Sequence, residues 1–250
     1  MTTKKDLTSS AASAEITLYG FPRSTYLNVA RVILLAKQLP FTFHDTESEM
    51  STDAHKQRHP FDRVPVLKHG DFYLYETSAI AQYVDESFDG PPLQPADAKR
   101  RALGHQWISN TNAYIYPYMI YYLVHERVVF AELGIPADED VVAYSLPKIE
   151  LALQVITSQL QHKPFIVDDQ ATLADYFLLP SLSALGFASE GAALLEKFTL
   201  VQSWLSRMGK LPAVVEMRAM LPPPAPIEHA RRWPAEHRPH IKSRTAEPLT

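Results

Sequence analysis

The 250-residue chain contains no cysteine. That absence excludes disulfides, thiolate-held metals and a cysteine nucleophile together. No run of about 18 apolar residues is present either, so nothing reads as a membrane span. Neither sign of charge dominates: 24 Lys and Arg stand against 28 Asp and Glu, a formal net charge of -4. The pI near 6.2 gives no global pull toward nucleic acid or anionic membrane. The opening MTTKKDLTSSAASAE has lysines but no apolar core, so it does not read as a secretory signal. No internal repeat is apparent, and a soluble, cytoplasmic protein is the expectation.

What is present is ordinary globular composition, with 46% hydrophobic and 21% charged residues. The length allows one large or two modest domains with a real core. Residues 1–14 are small and polar, and are expected to be disordered. Glu15 to Tyr19 alternates as a strand, GFPRST follows as a loop, and Val29, Val32, Ile33 and Ala36 recur at helical spacing. Phe41 to His44 reads as a second strand, and a short helix is expected near His55 to Arg58. Pro65-Val66-Leu67, a His69-Gly70-Asp71 turn and the strand Phe72 to Tyr75 lead into a helix over Thr77 to Ser87. GPPLQPAD, residues 90–97, can hold neither helix nor strand and reads as a linker.

Beyond the linker the patterns are helical. Helices are expected over Ala98 to about Val129 with a kink at Pro117, over Asp140 to Gln161, Thr172 to Ala188, Phe198 to Met208 and Pro212 to Met220. Residues 223–250 are rich in proline and arginine and are expected to form a tail. The organisation is thus an α/β unit over 15–89 followed by an all-helical unit over 98–222.

Four motifs carry more than architecture: GFPRSTYLNVAR, HPFDRVPVL, HGDFYLYETSAIAQYVDE and ATLADYFLLPSL. Together they resemble the cytosolic glutathione S-transferase family over about residues 15–220. The resemblance implies a thioredoxin-like, glutathione-binding N-terminal domain and an all-α C-terminal domain that shapes an electrophile pocket. It further implies glutathione as cosubstrate, a small hydrophobic electrophile, a homodimer, and neither metal nor nucleic acid as partner. A non-catalytic binding protein, or a glutathione-dependent etherase or isomerase, is compatible with the same motifs.

Within that resemblance, Val64-Pro65 looks like the family's cis-proline turn, where the Val64 backbone can bond an extended peptide as an added strand would. Arg63 sits where a guanidinium can meet the glycyl carboxylate. Glu76 can take the γ-glutamyl ammonium, and Thr77 suits an N-cap whose helix terminus favours a carboxylate. His59 and Asp62 stand where the family usually has asparagine and glycine. Thr172 and Asp175 form a capping box, and Trp204 reads as core.

Conjugation needs a thiolate, whereas a free thiol has a pKa of about 8.5. Lowering it by about two units takes about 2.7 kcal/mol of selective stabilisation. One hydrogen bond to charged sulfur supplies about 1.5–3 kcal/mol, and a helix N-terminus about 0.3–1 kcal/mol more. The part required is a hydroxyl where the first strand feeds the first helix. Ser24, Thr25 and Tyr26 all offer one. The order Ser-Thr-Tyr looks like the serine-type, bacterial and plant-like branch, with Ser24 as donor; Tyr26 and Thr25 are the alternatives. The plainer alternative makes Ser24 or Thr25 simple helix N-caps. In the helical unit, Tyr114 and Tyr118 are the residues expected at the electrophile pocket, because tyrosines suit apolar walls with polar tips.

Overall fold

The computed structural model describes residues 15–222. The expected disordered N-terminus and the proline-arginine tail lie outside the described residues.

Four strands, β1 (Ile16–Gly20), β2 (Thr42–Asp45), β3 (Val66–His69) and β4 (Phe72–Tyr75), form one sheet in the order β2-β1-β3-β4. β1 and β2 are parallel, joined by α1 (Thr25–Ala36), and the other two pairings are antiparallel. Alternation along β1 buries Ile16, Leu18 and Gly20 on one side, where the apolar face of α1 covers them. The short α2 (Asp53–Arg58) precedes β3, and α3 (Thr77–Ser87) follows β4. This is the expected thioredoxin-like unit.

Two junctions matter for the site. Tyr19 of β1 pairs with Val66 of β3, and Val66 pairs with Tyr75 of β4. The loop after β1, the turn before β3 and the residue after β4 therefore emerge at one edge of the sheet. The linker is pinned to both halves: Leu93 donates its N–H to Asp85 Oδ1 at 2.8 Å, and its carbonyl accepts from Leu173 N at 2.9 Å.

The second half is helical. α4 (Ala98–Asn110) does not run on as an α-helix to a kink; it passes into π-helical turns over Thr111–Ile115 and Pro117–Val129, then one α-turn, α5 (Phe130–Glu132). Proline lacks the N–H that an i→i−4 bond needs, and the turns flanking Pro117 are the wider π-helical ones. α6 (Glu139–Leu160), α7 (Leu173–Leu185), α8 (Ser189–Glu196), α9 (Thr199–Met208) and α10 (Pro212–Ala219) complete the bundle. α8 has no counterpart in the sequence reading. It lies so close to the end of α7 that a Cβ on Gly191 would meet the Leu185 carbonyl at 2.1 Å. Small residues make that approach possible, and they leave little periodic signal.

Asp175 is the polar centre of the helical half. Its carboxylate accepts from Ile166 N, Thr172 N and Trp204 Nε1, each at 2.9 Å, and from the Thr172 hydroxyl at 3.0 Å. Trp204 is fully buried, as expected. Among the described residues, no single helix is long and apolar enough to cross a membrane.

Candidate active site

The loop from Phe21 to Ser24 is a tight turn: Ser24 N donates to the Phe21 carbonyl at 3.0 Å. Asn28 braces it from within α1, donating Nδ2 to the Pro22 carbonyl at 3.1 Å. Ser24 is the N-cap of α1, and its hydroxyl oxygen accepts from Leu27 N at 3.3 Å. An accepting oxygen keeps its own hydrogen available for donation. The capping role and the donor role are therefore compatible in one half-buried side chain.

The other two hydroxyls face the helical half. Thr25 hydrogen-bonds to the buried Tyr116 hydroxyl. Tyr26 donates to Asn112 Oδ1 at 3.0 Å and stacks on Tyr116, with centroids 4.3 Å apart. Burial, then Tyr121 and the Glu76 carboxylate, push the Tyr26 phenol far above its ordinary range. Arg23, on the same loop, pairs with Glu132 at 3.1 Å.

Across the edge lies the turn before β3. The Val64–Pro65 bond is cis, as the resemblance implied. The β1–β3 ladder ends at Val66, so half-buried Val64 lies outside it. Fully buried His55 faces the Arg63 carbonyl, Nε2 to O 3.0 Å, and so ties the turn to α2. Asp62 has φ 53, a left-handed conformation that aspartate tolerates and glycine favours. Its carboxylate accepts from Ser51 N at 2.8 Å and Ser51 Oγ at 2.9 Å. Beside it, burial and then the neighbouring His55 lower the His59 pKa to about 4.

Glu76 differs from expectation in one respect. The N-cap of α3 is Glu76 and not Thr77, which is the first residue of the helix and is buried. The Glu76 side chain makes no capping bond and stands exposed at the helix N-terminus, with φ 70 and ψ 113. A non-glycine residue in that region stores about 1–3 kcal/mol of strain, which tends to collect at functional positions.

Tyr114 is 66% exposed, and Tyr118 packs with Tyr122 and Tyr144 at 5.4 and 6.2 Å. Tyr26 meets Asn112 and Tyr116, with Tyr121 edge-on to Tyr116 at 5.0 Å. Asn112 and Tyr116 are four apart, and Tyr116 and Tyr121 five apart, the wider spacing being that of a π-helical turn. Among the described residues, no group of three or more His, Asp or Glu is arranged to hold a metal ion.

The comparisons with known proteins match both halves of the fold that carries this edge. The glutathione S-transferase N-terminal domain model matches residues 18–92, and the glutathione S-transferase C-terminal domain model matches residues 111–212. The chain belongs to the glutathione S-transferase family. It is similar to a probable glutathione S-transferase of Oryza sativa subsp. japonica, 27% identical over 85% of this chain and 100% of the relative. Glutathione S-transferase F10 of Arabidopsis thaliana is 30% identical over 64% of this chain and 75% of its own length. The solved glutathione S-transferase III, in apo form, shares 27% identity and a TM-score of 0.76, covering 85% of this chain and 100% of that structure. Family membership accounts for the two-part fold.

Proposed function

We propose that this glutathione S-transferase binds glutathione along the shared sheet edge and uses the Ser24 hydroxyl to stabilise its thiolate. The register Tyr19–Val66–Tyr75 carries the reading, because it brings the Ser24 loop, Val64 and Glu76 to the same edge. In this reading the Val64 N–H and C=O bond the cysteinyl unit as a strand would. Glu76 receives the γ-glutamyl ammonium, Thr77 and the start of α3 receive the α-carboxylate, and Arg63 faces the glycyl carboxylate.

Of the three candidate hydroxyls, Ser24 is the one not spent on the helical half. Thr25 is engaged by Tyr116 and Tyr26 by Asn112. The thiol proton leaves to solvent, the Ser24 hydroxyl donates to the sulfur anion, and a sulfur lone pair attacks an electrophilic carbon as its leaving group departs. A donor to charged sulfur worth about 1.5–3 kcal/mol lowers the thiol pKa by about one to two units. The electrophile is hydrophobic, held between this loop and the tyrosine-rich π-helical segment that carries Tyr114, Tyr116 and Tyr118. A homodimer and a cytoplasmic setting fit the family.

Ultraviolet titration of the bound glutathione thiol tests this reading. The wild-type protein should show a thiol pKa near 6.5–7.5, and Ser24→Ala should return it by about one to two units toward the free value of about 8.5. An unshifted thiol in the wild type would remove the proposal.

A further inference from the structure

α1 carries a buried charge that the proposed chemistry does not yet use. Arg31 is 1% exposed. Its Nη1 donates to Asn28 Oδ1 at 3.0 Å, and its guanidinium carbon lies 4.7 Å from the Phe43 ring centroid. Nε has no acceptor. Among the described residues, no carboxylate comes within ion-pair distance of it. The acidic group that acts on it is Asp45, exposed at the end of β2. An apolar residue of similar volume would fill the same space without the desolvation that a buried, unpaired cation suffers. Retaining the cation calls for a reason.

Its position supplies one. Side chains on a helix lean toward the N-terminus, and the bond to Asn28, three residues earlier, shows that Arg31 does so. Asn28 in turn holds the Pro22 carbonyl, so guanidinium, amide and loop form one line from the core to the back of the Ser24 turn. Arg31 lies seven positions after Ser24, roughly 10 Å of helix rise, and the lean shortens that distance. The intervening Leu27, Val29 and Ala30 are buried and apolar. Little in that path screens a charge.

We propose that Arg31 is an electrostatic residue of the thiolate site, its unpaired charge lowering the pKa of glutathione sulfur bound at Ser24 through the protein interior. The inference rests on the reading of Ser24 given above. Arg31 touches no reacting atom and is not a catalytic residue. At an effective dielectric of about 20 and roughly 10 Å, a unit charge shifts a thiol pKa by about one unit. The Asp45 carboxylate opposes part of this.

The experiment compares Arg31→Met and Arg31→Gln, which remove the charge, with Arg31→Lys, which keeps it. Each folded variant is titrated with glutathione bound, and its affinity for the uncharged thiol form is measured separately at low pH. The neutral variants should raise the bound thiol pKa by about one unit, a tenfold loss of thiolate below neutral pH. Arg31→Lys should stay within about 0.3 units of wild type, and low-pH affinity should not move in any of them. An unchanged pKa in the neutral variants, or an equal rise in Arg31→Lys, overturns the proposal. Should Arg31→Met fail to fold, the Gln and Lys pair decides alone. A wild type lacking any depressed thiol pKa would instead overturn the reading of Ser24, a separate outcome.

Discussion

Tyr26 donates its hydroxyl to Asn112 across 86 residues of sequence, while its ring stacks on Tyr116. This contact commits one of the three loop hydroxyls to holding the two halves together. Tyr26→Phe keeps the stack and loses the bond, so stability should fall by about 0.5–1.5 kcal/mol. kcat/KM should stay within a few-fold of wild type. Ser24→Ala should do the reverse, with an unchanged urea midpoint to within a cap's contribution and a kcat/KM lower by about 10–100-fold. A larger catalytic loss in Tyr26→Phe would transfer the donor role to the tyrosine.

Glu76 combines an exposed carboxylate with a strained backbone. Glu76→Gln keeps the shape and removes the charge. It should weaken glutathione binding by about tenfold or more, the worth of a charge-assisted hydrogen bond. Glu76→Gly should bind equally poorly but recover part of the backbone strain, raising Tm. Calorimetric titration and a thermal melt on the same samples separate the two effects.

Asp175 serves four donors where a capping box alone needs fewer. Burial raises its pKa, although every one of those bonds works to lower it. Asp175→Ala would orphan the buried Trp204 indole and two backbone N–H groups, so the expected loss is about 3 kcal/mol or more by urea unfolding. kcat per folded molecule should not change, since the residue lies in the core of the helical half.

Acid should lower the stability of the fold. His59 and His125 are both lowered by burial from 6.5 to about 4. Each is neutral in the folded protein where the unfolded chain already binds a proton. Stability is therefore fully present above pH 6.5, falls as pH drops from 6.5 to 4, and levels off below. Urea midpoints at pH 7, 5.5 and 4.5 should show a smaller fall in His59→Asn than in wild type; equal slopes would remove His59 as a cause.

Local pattern in the chain determined a good deal. The alternation of Ile16 to Gly20, the helical spacing after Ser24, the proline before Val66 and the acid after Tyr75 are short-range features, and each element formed within a residue or two of where they place it. The absence of cysteine likewise excluded, before any fold, a cysteine nucleophile and a disulfide. Only the tertiary structure gave Thr25 and Tyr26 their partners, Tyr116 and Asn112, because these come from a distant segment that local pattern does not bring to the loop. It also decided that Glu76 rather than Thr77 is the N-cap of α3, through a backbone angle that no side-chain preference announces. Periodicity records which face a residue takes within its own element; which distant group then claims its hydrogen bond depends on how the elements pack.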